Sequence, residues 1–277
     1  MAKIFRSKLT ISYSPSNPTL ITQHMFDHHY REPAGSPIDE FLLRLQSINM
    51  LAPHPTNFDT YQGQLVMLGV IAAVESYFRT LFRRLIAYDA VCQKKVERVD
   101  VSYGAAAHLP KELLPEAILE RISFISLTNI VDALKELLAV TGAVPPEVDV
   151  AIKDYVRVCQ LRHCAVHRFG KLGVSNAISL GLSEHSNLIE KPLKFDYAAL
   201  QNIIAISTGL VKTINNYLYN EMLSRIPENQ WTGQYIKDKA FFGTYYKLFA
   251  DKISSNRSVP PKYLYVQFMK QRKDFAS

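Results

Sequence analysis

Apolar side chains recur every three or four positions through most of the chain, the spacing of α-helices that bury one face. The strongest run extends from Asp59 to about Val99. Its stripe is Leu68, Ile71, Val74, Phe78, Leu81, Leu85 and Tyr88, with Arg79, Arg83, Arg84, Lys94 and Lys95 filling much of the remainder. Ahead of it, Ser36-Pro37 places an N-capping serine before a proline in the first helical position, which predicts a helix to about Leu51, stopped by Pro53 and Pro55. A break at Gly104 to Pro110 precedes a third helix, Leu113 to Val140, with Gly142 as its C-terminal stop. Pro145-Pro146 opens a fourth, reaching about Arg168 and ended by Gly170 and Gly173. A loop with Ser175, Asn176, Ser183, Ser186 and Asn187 follows. The fifth long helix spans Phe195 to Ser224, with Leu200, Ile203, Ile204, Ser207, Leu210, Val211, Ile214, Tyr217 and Leu218 at helical spacing.

Residues 1–36 follow no such period. Lys3 to Tyr13 alternates weakly and predicts at most one short strand, and Pro15, Pro18, Pro33, Gly35 and Pro37 read as loop. Long helices joined by short breaks predict an all-α helical bundle. The organisation expected is an N-terminal extension with one helix over 1–57, a bundle over 58–224, and a segment of different composition over 225–277. No repeat or low-complexity stretch interrupts this order.

Composition alters the picture in one place. The 277 residues are 48% hydrophobic and 21% charged, enough for a sizeable core, and they carry a net charge of +7. Ten Lys/Arg against four Asp/Glu fall after Ser224, so that segment holds a surplus of six of the seven charges. Aromatic residues alternate with them: Trp231, Tyr235, Phe241, Phe242, Tyr245, Tyr246, Phe249, Tyr263, Tyr265, Phe268 and Phe275. Cations that meet phosphates, interleaved with rings that stack on bases, are what single-stranded nucleic acid binding uses. The competing reading is that the rings pack the segment onto the bundle while the lysines stay solvated.

Three cysteines, Cys92, Cys159 and Cys164, are too few and odd in number for a disulfide framework. The basic N-terminus is not followed by an apolar stretch of signal-peptide type. The most apolar run, Leu65 to Val74, is ended by Glu75 at about half the ~20 residues a bilayer span needs. The expectation is a soluble cytoplasmic protein without a membrane partner.

Reactive side chains concentrate at the end of the fourth helix, in Cys159-Gln-Leu-Arg162-His163-Cys164-Ala-Val-His167-Arg168-Phe-Gly170. Cys159, His163 and His167 share a helix face, but the outer two lie ~12 Å apart along it, too far to share one zinc ion. Alternatively Ile152, Val156, Cys159, His163 and Val166 form a packed seam. The third reading is catalytic. Arg162-His163-Cys164-Ala165-Val166-His167 resembles the Arg-polar-xxx-His motif of HEPN-domain ribonucleases, with His163 in the polar position and the helix order of residues 58–224 fitting a HEPN-like bundle.

That resemblance implies a metal-independent endoribonuclease, needing no cofactor, that leaves 2′,3′-cyclic phosphate and 5′-hydroxyl ends. In it, His167 is the general base or acid, Arg162 stabilises the charge on phosphorus, and His163 orients the phosphate or hydrogen-bonds its neighbours. It further implies a toxin or anti-phage effector, acting on RNA and restrained by an antitoxin or regulatory protein. The rival implication is a non-catalytic HEPN-like module that binds nucleotide or RNA within a two-protein system. Geometry adds that Arg162 and His167 stand about 140° apart around an ideal helix and ~7.5 Å along it. Convergence then needs a distorted helix end near Gly170 or a second copy in a homodimer with a composite site.

Glu75 interrupts the most apolar stretch, so it is expected either to orient Arg162 or a histidine, or to pair with Arg79 one turn on. His24, Asp27, His28 and His29 have metal-ligand chemistry but sit in a Pro-bounded stretch that reads as solvated loop. Phosphate-binding, dinucleotide-binding, nucleophile-elbow and zinc-protease motifs do not occur in the chain.

Overall fold

The computed structural model describes residues 9–254 and 259–276, which form two units: a short N-terminal one ending at Ala34 and a large one beginning at Gly35. The described part of the first unit contains one 3-10 turn, Thr22–Met25, and exposes Leu9, Ile11, Tyr13, Leu20 and Phe26. Residues 9–13 form no strand; the rest of the short strand expected from Lys3 lies outside the described residues. His24, Asp27, His28 and His29 are exposed, and the Asp27 carboxylate accepts from the His29 amide. No group of three or more potential metal-ligating side chains exists among the described residues.

The protein is all-helical, 69% helix without strands among the described residues. Helix α1 (Pro37–Asn49) starts where Ser36 accepts from the Asp39 amide and proline occupies the first turn. Helix α2 (Thr60–Tyr88) is the spine. Its stripe from Ile71 to Leu85 is buried, Leu68 is half-buried, and Tyr88 projects into solvent. By length and composition α2 could cross a membrane, yet most of its apolar surface faces the core.

The helix expected to continue to Val99 breaks at Asp89. The Asp89 carboxylate accepts from the Val91 and Cys92 amides and so caps a new helix, α3 (Ala90–Val96). A short helix, α4 (Tyr103–His108), occupies the expected break. The single helix expected over 113–140 is two, α5 (Leu114–Leu119) and α6 (Leu127–Leu138). Arg79 donates to the carbonyls of Leu119 and Ile122, satisfying the end of α5, and Ser126 caps α6. Helix α6 stops at Ala139, in a left-handed conformation with buried Val140 after it, three residues before Gly142.

Helix α7 (Pro146–Arg168) carries the motif, and α10 (Tyr197–Ser224) packs along it and along α2. The segment expected as loop between them holds two short helices, α8 (Val174–Leu180) and α9 (Leu182–His185). Ala177 and Leu180 join Leu172 and Cys164 in a small second core beneath the end of α7.

Helices α11 (Tyr235–Phe249) and α12 (Pro261–Ala276) complete the large unit. Trp231, Phe242, Tyr245, Phe249 and Tyr265 are buried in the same core as α2 and α10. The aromatic residues of the basic segment are thus largely spent on packing, each buried ring contributing about 2 kcal/mol of apolar burial. Compactness does not divide at 57/58 or 224/225. Helix α1 and the described residues after Ser224 belong to the large unit and share its core.

Candidate active site at the end of the motif helix

Helix α7 keeps its regular geometry through Arg168, so the motif is displayed without distortion. It ends with Phe169 at φ 51° and Gly170 at φ 88°, and the Gly170 amide donates to the Cys164 carbonyl at 2.9 Å. Gly170 is buried, and the Gln64 amide group of α2 lies 3.2 Å from where a β-carbon would be. The positive φ favours glycine at this point, and a β-carbon there would press closely on the Gln64 side chain. The outgoing chain is pinned at once: Leu193 donates to Gly170, and Leu172 and the 190–191 segment exchange two further backbone hydrogen bonds.

Arg162 and His163 are half-buried and His167 is exposed. The two imidazoles meet edge to face with centroids 5.8 Å apart. Burial, then the Arg162 charge, then His167 lower the His163 pKa below its ordinary value. The shift favours the neutral form of the His163 imidazole. Arg162 has no ion pair or hydrogen bond among the described residues, whereas Arg168 is tied to Glu190. A guanidinium held without a carboxylate keeps its planar donor fork for an incoming anion. The helix C-terminus beside it contributes the opposite, negative end of a dipole, so the cation and not the backbone supplies anion affinity.

The helix end does not bend to bring Arg162 and His167 together. Their five-residue spacing keeps them about 140° apart on a regular helix, and within one chain they do not converge on a single point of one face.

Glu75 meets neither partner expected from sequence by a direct ion pair. One carboxylate oxygen accepts from the Ser123 hydroxyl at 3.3 Å and the Phe124 amide at 3.2 Å, while Arg79 pairs with Glu116 at 3.5 Å. The Arg79 pairing is thereby corrected: the carbonyls at the end of α5 and the Glu116 carboxylate draw Arg79 away. Glu75 nevertheless faces the same neighbourhood as Arg162. Burial first raises the pKa values of Tyr155 and Cys159 beneath the motif, and to a lesser degree the Glu75 charge raises and the Arg162 charge lowers them.

The cysteines supply no nucleophile. Desolvation pushes the Cys92 and Cys159 thiols up to about 12, and burial raises Cys164 as well, so none forms a thiolate readily at neutral pH. Cys164 points to the second core and Cys159 to the first, dividing the motif helix between two packed faces.

Sequence reading missed the apolar rim. Tyr61 and Leu65 lie one turn apart on α2, exposed by 59% and 68%; Val166 in the last turn of α7 and Phe169 just past its end are exposed by 46% and 77%. The Tyr61 and Phe169 rings, 5.5 Å apart, join the two helices. Helical periodicity marks such residues as core, so only the packed structure reveals that they face outward.

No protein-family model, curated protein or solved structure matches the chain.

Proposed function

We propose that this protein is a HEPN-type, metal-independent endoribonuclease that works as a homodimer with Arg162, His163 and His167 at a composite site. The observation that carries the reading is an arginine without an ion pair or hydrogen bond among the described residues, carried with two adjoining imidazoles on the last turns of an unbroken helix. Those groups meet the needs of RNA transesterification. His167 takes the proton of the 2′-hydroxyl, the 2′-oxygen bonds to phosphorus, and the bond from phosphorus to the 5′-oxygen breaks. The leaving oxygen takes up a proton, leaving a 2′,3′-cyclic phosphate and a 5′-hydroxyl. Arg162 holds the added negative charge on the phosphoryl oxygens. His163, neutral, donates or accepts a hydrogen bond to orient the phosphate.

A second copy resolves the angular separation of Arg162 and His167. The exposed side chains of Tyr61, Leu65, Val166 and Phe169 flank the motif and give that copy an apolar surface to meet. RNA is held electrostatically by exposed lysines of the last two helices, Lys237, Lys239, Lys247, Lys262, Lys270 and Lys273. Cleavage of host RNA by a toxin or anti-phage effector is the role this chemistry serves.

The test is incubation of wild type, Arg162→Ala and His167→Ala with RNA in excess EDTA. Cleavage persists in chelator and falls by about 10²–10⁴ in each variant, with unchanged circular dichroism. Cleavage that depends on metal, or survives both substitutions, rejects the proposal. RNA or nucleotide binding without cleavage turns the reading to a non-catalytic module.

A further inference from the structure

A cavity of about 300 Å³ lies between α1, α10, α11 and α12, away from the motif. Leu193 bonds to Gly170, so α10 starts beside the end of α7, whereas Lys212 in the cavity wall is fifteen residues, ~22 Å, further along α10 than its first residue. The cavity is therefore a separate place on the molecule. Its volume sits at the lower end of ligand pockets, roughly 300–1,000 Å³, which suits one ring system with a small appendage and excludes an oligonucleotide.

The lining is of two kinds. Tyr219, Tyr246 and Phe249 present aromatic surface, with the Tyr219 and Phe249 rings 5.6 Å apart. Beside them, among the described residues, stand the charged Lys212 and Asp251 and the amides of Asn215 and Asn216, of which Asn215 already donates to the Phe249 carbonyl. Lys212 Nζ lies 3.9 Å from Asp251 Oδ2, beyond hydrogen-bond length, so the ammonium keeps its donors. Asp251 is oriented by the Ser254 amide, which donates to its other oxygen at 2.8 Å. The Tyr219 hydroxyl is buried without a hydrogen-bond partner among the described residues, a condition that protein interiors seldom leave uncompensated. Tyr246, by contrast, donates to the Val259 carbonyl.

Aromatic walls favour a flat ring. Opposite charges side by side favour a ligand without net charge whose edge carries a donor next to an acceptor, because either charge alone would be repelled by one of the pair. We propose that this cavity binds a nucleobase-sized heteroaromatic ligand, such as a free nucleoside, with its ring against Tyr219, Tyr246 and Phe249 and its donor–acceptor edge meeting Asp251 and Lys212. The amide of Asn216 adds a donor and an acceptor at the rim.

Binding is measured on the full chain with adenosine, guanosine, cytidine and uridine by isothermal titration calorimetry, a readout that does not depend on nuclease activity. At least one nucleoside binds saturably, and no more weakly than its 5′-monophosphate. Lys212→Ala and Asp251→Asn each weaken it about tenfold. Tyr219→Phe weakens it while leaving the melting temperature at or above that of wild type, and Asn216→Trp, at an exposed position, abolishes it by filling the mouth. Failure of all four nucleosides to bind at millimolar concentration overturns the proposal. Binding that is indifferent to these variants overturns it too, as does tighter binding of the monophosphate or displacement by inorganic phosphate.

Discussion

Glu75 of α2 and Arg162 of α7 act with opposite sign on the same two buried groups, the Tyr155 hydroxyl and the Cys159 thiol. The two charges are nevertheless held very differently. Glu75 is anchored to the chain at Ser123 and Phe124, whereas Arg162 has no hydrogen bond or ion pair among the described residues. Glu75→Gln should therefore cost about 1 kcal/mol in urea denaturation, through a weakened hold on the turn between α5 and α6. Arg162→Ala should change stability by no more than about 0.5 kcal/mol while abolishing cleavage. A large stability loss on removing Arg162 would show it to be a structural cation.

The His163 ring should titrate below the ordinary histidine range, followed by its ring proton–carbon NMR signals. Since Arg162 is among the causes, Arg162→Ala should move the pKa upward toward 6.5. The linkage has a definite sign. A histidine whose folded pKa is lowered binds fewer protons in the native state than in the unfolded one. Its contribution to stability is present above the unfolded pKa and is lost as pH falls through the window beneath it. Replacing His163 with Gln should flatten that part of the pH–stability profile.

The apolar rim separates assembly from folding. Leu65 and Phe169 are exposed, so Leu65→Glu and Phe169→Glu should leave the melting temperature within a few degrees of wild type. In sedimentation velocity the same variants should shift the protein to monomer and reduce RNA cleavage. The proposed composite site has its own signature: Arg162→Ala and His167→Ala proteins, each inactive, should regain part of the activity when mixed and allowed to exchange subunits. Activity that fails to return, with exchange demonstrated, places both residues in one protomer.

Asp89 should be the most sensitive polar position of the core. It caps α3, pairs with Arg225 and accepts from the Tyr245 hydroxyl at 2.9 Å, while Arg225 also donates to the Leu138 carbonyl. One carboxylate thus ties α3, α6, α10 and α11 together. Asp89→Ala leaves a largely buried guanidinium without its counter-charge and should destabilise by about 3–5 kcal/mol in chemical denaturation. Tyr245→Phe removes one bond from the same network and should cost about 1 kcal/mol.

The long helices and their starts were legible because their determinants are local. Ser36-Pro37 and Pro145-Pro146 sit at helix N-termini, and the stripe from Ile71 to Leu85 is buried as its spacing predicts. Interruptions were not legible where a distant partner makes them. Periodicity runs through Asp89, yet a carboxylate that can cap a helix and also meet Arg225 favours a break there. The gap between α5 and α6 is likewise secured by Arg79, some forty residues earlier in the chain. Gly142 offered a stop to α6, but burial of Val140 favours the turn at Ala139. At the site, the motif fixed which side chains share a helix. Only packing disclosed that the His163 and His167 rings touch, that Arg162 has no counter-ion among the described residues, and that Tyr61 and Leu65 look outward.

The basic residues after Ser224 ride on helices whose rings fill the common core, and this decides how the protein can be controlled. A detachable cationic arm could be clipped by a protease or masked by a binding partner while the rest of the molecule persisted. Here, removal of the same residues would take Trp231, Phe242, Phe249 and Tyr265 out of the interior and strand their neighbours on α2 and α10 in water. The cations of the proposed RNA surface are therefore built into the folded core, and none of the helices that carry them can be cut away without cost to that core.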